Sequence, residues 1–318
     1  MVVSPEDRTV AARSRRCTWY RRRPRGARYR GEMPLLYHWT RENYRADLQG
    51  GVAWHLNQKN GRLREIDRGD SVWAFTRNTV GAYVLAAEVV VRAKTVNAPG
   101  FPYGPYRVWA DVPRSRFFHV DSQVSTELVL RALSIRPTAR ILGQGFQGLA
   151  AVQTITGADH AMLAEASRGL ALEPRSIEPA EEALEAALRA PNPAHLHLLL
   201  PREVGPTRRW ERLVRGFARS ARLVGELRAL YAGRCQICEW SSNEDYGTEL
   251  CEAHHWHWLS RGGADDLRNL VLLCPNHHRA VHGCDALLDF ETSAPVFDFG
   301  DGRRERVRLD RHLAVRLA

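Results

Sequence analysis

"LCPNHHRAVH", Leu273–His282, places one cysteine and three histidines within ten residues. A tetrahedral structural ion takes four donors. Cys235 and Cys238 of "CQIC" supply two of them, at the spacing of a zinc knuckle. Cys274 and His277 repeat that two-residue gap, so they form the matching pair. Cys235, Cys238, Cys274 and His277 are therefore the expected structural Zn2+ site, since buried thiols without a metal would not give two matched pairs. His278 and His282 are left over. They lie one helical turn apart, so both can face a second ion.

Upstream, "EAHHWHWLSRGGADDLRNLVLLC" (Glu252–Cys274) contains two strand-like runs joined at Gly262-Gly263. Neighbouring residues of a strand point to opposite faces, so His254 and His255 should have separate roles. With "CQIC" and "PNHHRAVH", this stretch resembles the HNH endonuclease family over about residues 225–290. That family folds as two strands and a helix around one catalytic metal. The resemblance implies that His255 is the general base and that His254 binds the catalytic ion with His278 and His282. It also implies that Asn269 positions the base or the metal loop. Phosphodiester hydrolysis needs such a pairing, a base for water and a Lewis acid on the phosphate. An imidazole-rich set suits Mn2+, Co2+, Ni2+ or Zn2+ better than Mg2+, which prefers oxygen. Family members often use Mg2+ all the same, so the expected catalytic ion is Mg2+ or Mn2+, with Co2+ and Ni2+ open. Cys251 and Cys284 flank the motif where the family needs neither. Cys251 is either a competing ligand or a small buried thiol. His257, Trp256 and Trp258 of "HWHW" either contact DNA or pack in the core.

The chain has 318 residues, 44% of them hydrophobic, which is enough for two domains of ordinary size. No apolar run reaches the length of a membrane span, and the N-terminal segment lacks the apolar core of a secretory signal. Three of the six cysteines sit with histidines, which favours metal binding in a reducing compartment. The expectation is a cytoplasmic protein without a membrane partner. The formal charge is +10, but residues 1–32 hold ten Arg against Glu6, Asp7 and Glu32, a net of +7 that leaves +3 for the rest. This arm is either a disordered phosphate-binding segment or sequence upstream of a true start at Met33. Lys59 and Lys94 are the only lysines, so arginine clusters alone carry little weight.

Residues 33–168 are rich in β-branched and aromatic runs separated by turn signals. "SVWAFT" and "AYVLAAEVVV" are the clearest strands, with short helices expected at 124–133 and 158–167. The pattern suits a small, partly open β-barrel with helices against it. "WHLNQKNGRLREIDRGDSVWAFTR" and "GQGFQGLAAVQTITGADHAML" resemble the EVE and PUA-like barrels. Such domains hold a flipped or modified base in an aromatic pocket, which implies Trp39, Trp54, Asn57, Trp73 and Phe75 as pocket candidates. For Trp73 and Phe75, core packing is the competing explanation. Residues 169–206, rich in Pro, Ala and Glu, look like an interdomain linker with one short helix at best. From Thr207 an amphipathic helix opens the nuclease domain, 207–318. Trp210, Leu213, Val214, Phe217, Val224, Leu227 and Leu230 lie on one side. Arg208, Arg212, Arg215, Arg219 and Arg222 lie on the other, facing DNA or solvent.

The expected fold class is α+β, an EVE/PUA-like β-barrel linked to a ββα-metal HNH domain with a structural zinc. A base-sensing barrel tethered to an HNH nuclease is the arrangement of modification-dependent restriction enzymes. The expected partner is double-stranded DNA carrying 5-methyl- or 5-hydroxymethylcytosine. A flexible linker would let one reading head reach several cut positions, and double-strand cutting would call for a homodimer or two successive events. The competing readings are a nicking or mobile-element HNH enzyme without base sensing, a non-cleaving nucleic-acid binder, and an RNA-directed protein.

Overall fold

The structure is a computed structural model that describes residues 33–176, 181–189, 199, 208–291, 294–300 and 302–313. The Arg-rich arm and the remainder of the expected linker lie outside the described residues.

In the N-terminal half, β1 (Leu35–His38), β2 (His55–Gln58), β3 (Ser71–Arg77), β4 (Tyr83–Val96), β5 (Tyr106–Ala110), β6 (Arg116–Phe117) and β7 (Val152–Thr154) form one sheet. Its order is β2-β5-β4-β3-β1-β7, with β6 against β4. β1 runs parallel to β3, and the remaining pairs are antiparallel. Register shifts at Ala74/Phe75 and Val91/Ala93 bend the strands, giving a half-barrel. Both faces are covered. Val72 and Ala74 of β3 enter one core with Leu35, Tyr37, Trp54 and Tyr44, the last from α1 (Arg41–Gly50). Trp73 and Phe75 enter a second core under α2 (Glu127–Ala132) and α3 (Gly157–Ala166). The alternation of β3 thus supplies two cores from one strand.

The sequence candidates for a base pocket are not brought together. Trp73 and Phe75 are fully buried in the second core, where Trp73 donates its indole N–H to His160 Nδ1 at 2.9 Å. Phe75 packs against Phe146 and stacks on His38. Trp39 and Trp54 lie across the sheet from them, each edge-on to Phe117. The Asn57 Oδ1 atom is taken up by Arg107 Nε at 2.7 Å and Asn97 Nδ2 at 3.0 Å. Trp39 and Trp54 thus share Phe117 in one core, whereas Trp73 and Phe75 lie in the other.

Two further helices follow, α4 (Glu181–Arg189) and α5 (Arg208–Tyr231). The apolar residues at the end of α5, Leu227 and Tyr231, anchor it in the C-terminal core. The side chains of Trp210, Arg212, Leu213, Val214, Arg215, Phe217 and Arg219 lie outside the described residues. A short helix, α6 (Ser242–Tyr246), follows the first knuckle. Then β8 (Glu252–His255) pairs antiparallel with β9 (Leu270–Leu273), His255 opposite Leu270, and α7 (Pro275–Cys284) closes a ββα unit. Pro275 occupies the first turn of α7, where its missing N–H is harmless. β10 (Leu287–Asp289), β11 (Val296–Asp298) and β12 (Arg304–Arg306) form a small antiparallel sheet behind it.

The two halves are in direct contact. Val96 at the end of β4 donates to Asp289 Oδ1 at 2.9 Å, and Phe290 N–H donates back to Val96 O at 3.2 Å. Arg92 pairs with Asp285, which also pairs with Arg261 at 2.6 Å. The His257 ring lies 4.9 Å from His55 and 5.3 Å from Trp109. Within the expected linker, residues 181–189 form the one short helix, α4, with Leu184 and Ala187 buried.

Candidate active site

Two donor clusters lie on either side of the ββα unit, and α7 contributes to both. In the first, Cys235, Cys238, Cys274 and His277 converge. A tight turn brings the knuckle round: Cys235 N–H donates to Trp240 O, and Glu239 takes a left-handed conformation at φ 63°. Cys274 caps α7, so His277 sits one turn along beside it. Cys238 and Cys274 sulfurs are 3.9 Å apart, and His277 Nδ1 is 3.2 Å from Cys274 Sγ and 3.6 Å from Cys235 Sγ. Thiolates bound to zinc at about 2.3 Å sit about 3.8 Å apart in a tetrahedron, so the set fits such an ion. Burial, then the neighbouring thiols, pushes the Cys238 thiol up to about 12. The outer ring nitrogen of His277 pairs with Glu305 Oε2 of β12 at 3.0 Å, and this contact fixes which nitrogen faces the sulfurs. Cys251 is buried and contacts the Trp240 carbonyl, outside the four-donor set.

The second cluster joins His254 of β8 with His278 and His282 of α7. Nε2 of His278 and Nε2 of His282 are 3.2 Å apart. His278 turns its other nitrogen to Glu252 Oε2 at 3.1 Å, from the strand face that also carries His254. The structure adds a fourth member that sequence reasoning missed, Glu185 of α4. Its Oε2 lies 3.1 Å from both His278 Nε2 and His282 Nε2, and its Oε1 lies 3.0 Å from His254 Nδ1. Burial alone would raise the Glu185 carboxyl. Its contacts with the three imidazoles instead hold it well below the usual carboxylate range. Burial lowers His254 to about 4, against the pull of Glu185. His254 is fully buried, its Nδ1 faces Glu185 Oε1, and its Nε2 has no hydrogen-bond partner among the described residues. Nitrogens placed like this fit a cation better than they fit one another. His254 thus suits an ion in its neutral form.

Strand alternation sets His255 apart from His254 along β8, yet a ring nitrogen of His255 lies within 4.8 Å of carboxylate oxygens of Glu181 and Glu185. The Nε2 of His255 pairs with Asp265 Oδ1 at 3.0 Å, while its buried Nδ1 has no hydrogen-bond partner among the described residues. Asp265 was not anticipated; it lies in the loop after the Gly262-Gly263 turn. Asn269 ties that loop together. Its Oδ1 accepts from His257 N–H at 2.9 Å, and its Nδ2 donates to His257 O at 2.8 Å and Ala264 O at 2.7 Å. The approach is so close that a Cβ on Gly263 would collide with the His257 carbonyl. Glu181, one helical turn before Glu185, accepts from the backbone N–H groups of Leu259 and Ser260 at 2.7 Å each. It fastens α4 to the loop.

Trp258 packs beside His254 and His282, and Trp256 against Phe290, so both tryptophans of "HWHW" are packing residues. The signal that could have found Glu185 is "EEALEAAL", with Glu181 and Glu185 four residues apart on an apolar helix face that also carries Leu184. Nothing in local spacing links that helix to His254.

Residues 235–283 match the family model described as HNH endonuclease, so the ββα unit is an HNH endonuclease domain. Among solved structures, protein Atu2648 from Agrobacterium tumefaciens is 19% identical, covering 44% of this chain and 94% of that one at a TM-score of 0.25. ScoMcrA, a Type IV phosphorothioation-dependent restriction endonuclease, is 18% identical, covering 67% of this chain and 40% of that one at a TM-score of 0.19. This chain therefore spans less than half the length of that enzyme. No curated protein matches it. Among the described residues no helix is long and apolar enough to cross a membrane.

Proposed function

We propose that this chain is a modification-dependent DNA endonuclease that hydrolyses phosphodiester bonds at the histidine cluster of its HNH domain. The observation that carries the reading is the convergence of His254, His278 and His282 with Glu185, which also lies close to His255. His254, His278 and His282 would hold the catalytic divalent ion, Mg2+ or Mn2+ with Co2+ and Ni2+ as further candidates. Cys235, Cys238, Cys274 and His277 would hold a structural Zn2+. Bound at the histidines, the divalent ion supplies Lewis-acid stabilisation of charge on the scissile phosphate and the departing 3′ oxygen.

The chain's own residues do the rest. The Asp265 carboxylate accepts the Nε2–H of His255 and so keeps the Nδ1 lone pair available. That nitrogen takes a proton from the attacking water as its oxygen bonds to phosphorus and the 3′ oxygen leaves. Asn269 holds the loop that carries Asp265, which makes it a positioning residue for the base. The half-barrel, fixed against the nuclease unit, is assigned the reading of a modified base in double-stranded DNA, with 5-methyl- and 5-hydroxymethylcytosine the leading marks.

The test is cleavage of one plasmid in unmodified, 5-methylcytosine, 5-hydroxymethylcytosine, N6-methyladenine and phosphorothioate forms, each with Mg2+, Mn2+, Co2+ or Ni2+. Cutting restricted to one modified form is the expected result. Equal cutting of every form would remove base reading from the half-barrel and leave an unselective HNH nuclease. Absence of cutting across all forms and ions would overturn the proposal.

A further inference from the structure

The catalytic histidines of the HNH unit lie within 30 residues of one another in sequence, between His254 and His282. Glu185 reaches them from a helix about 70 residues upstream, outside the 235–283 match to the family. Its placement is not incidental. Glu181 anchors α4 through two backbone hydrogen bonds, Leu184 and Ala187 bury its apolar face, and Glu185 is thereby directed into the cluster with only 3% of its side chain exposed.

Distances separate two explanations, a carboxylate that merely hydrogen-bonds the histidines and one that joins them as a ligand. Glu185 Oε2 lies at hydrogen-bond distance from His278 Nε2 and His282 Nε2, and Oε1 stands 3.0 Å from His254 Nδ1, so one carboxylate reaches all three imidazoles. Glu185 Oε2, His278 Nε2 and His282 Nε2 are 3.1–3.2 Å apart, and with His254 included one donor atom from each of the four residues lies within 4.8 Å of the others. Donors bound at about 2.0–2.1 Å in a tetrahedron sit about 3.3 Å apart. One ion placed among the four satisfies every one of them.

Resting on the nuclease reading above, we propose that Glu185 is a fourth protein ligand of the catalytic ion, delivered by a helix outside the HNH motif. Four protein donors close a tetrahedral site, whereas catalytic sites keep a position open. The four-donor set would therefore belong to the DNA-free protein, and bound DNA would need Glu185 or another donor to yield a position to a phosphate oxygen.

The probe is Co2+ added to the full chain already holding one equivalent of zinc at the Cys-rich cluster, with visible absorption and Co2+ affinity as the readouts. Glu185→Gln is expected to weaken Co2+ binding at least tenfold and to reduce the tetrahedral band, while zinc content and near-ultraviolet circular dichroism stay as in the parent. In a His255→Ala background, which keeps DNA intact, adding a short duplex is expected to shift the band of the Glu185 protein and leave that of Glu185→Gln nearly unmoved. Unchanged Co2+ affinity and spectrum in Glu185→Gln would overturn the ligand assignment. A band indifferent to DNA in both proteins would overturn displacement by phosphate. These outcomes are distinct from failure of the nuclease reading, which is judged by cleavage alone and leaves the Co2+ spectra untouched.

Discussion

The two donor clusters of the nuclease unit differ in where their members come from. Cys235, Cys238, Cys274 and His277 form two short pairs on two knuckles, and the spacing of each pair is set by local turns. The histidine cluster draws on β8 and α7 and adds Glu185 from α4, a helix that reaches it only through tertiary packing. A site built from paired spacings holds a fold together from within. A site that borrows a donor from outside the motif depends on how the rest of the chain docks.

The largest effect should come from breaking the first cluster. Cys235→Ser removes one of four donors and leaves the Cys238 and Cys274 thiols and the His277 imidazole as an incomplete set. Structural zinc is worth on the order of 10 kcal/mol in small metal-dependent folds, so the expected outcome is loss of bound zinc and of the cooperative unfolding transition of the HNH unit, followed by calorimetry. The half-barrel, with cores of its own, should keep its transition. A variant that retained its zinc and its HNH transition would show that the two clusters do not divide as described.

A smaller effect sharpens the same contrast. Glu305→Gln leaves all four sulfur and nitrogen donors in place but weakens the carboxylate that orients His277. Outer partners of this kind are typically worth about 10- to 100-fold in metal affinity, so zinc should be lost to a competing chelator at correspondingly lower concentration. The histidine cluster, which Glu305 does not touch, should keep its affinity for Co2+. Equal weakening at both clusters would mean that Glu305 supports the unit as a whole.

The smallest effect concerns the contact between the half-barrel and the site loop. Burial first, then the nearby Arg107, lowers His55 from 6.5 to about 3. An unfolded chain therefore takes up this proton first as the medium is acidified. The stabilisation is fully present above pH 6.5 and is lost as pH falls from there toward 3. The melting temperature should decline through this window, and His55→Gln should show a shallower decline. Identical slopes would remove His55 as the source.

The same contrast explains what was legible in the sequence. The ligand pairs, the Gly262-Gly263 turn and the split between His254 and His255 follow from spacing and strand alternation, both local properties. The paired strands of the HNH unit and the long β3 and β4 of the half-barrel were readable from their β-branched and aromatic runs. Glu185 was not, because "EEALEAAL" reads as an ordinary polar helix until it is docked. Asp265 was hidden in a turn whose acids look like loop residues. For Trp73 and Phe75 the sequence offered core packing beside the pocket reading; they alternate with Val72 and Ala74, and only the folded sheet shows that both faces are core. The contact of Val96 with Asp289 and Phe290 joins segments nearly two hundred residues apart, which no spacing rule reaches.

The most direct test of the central claim, that the histidine centre of the HNH domain hydrolyses DNA, compares His255→Ala with the parent on a plasmid the parent cuts, at saturating divalent ion and single turnover. Loss of a positioned base typically costs about 10²- to 10⁴-fold. The account predicts a fall of that size with zinc content and Co2+ affinity unchanged. Cleavage at the parent rate would contradict it and move the chemistry elsewhere in the chain.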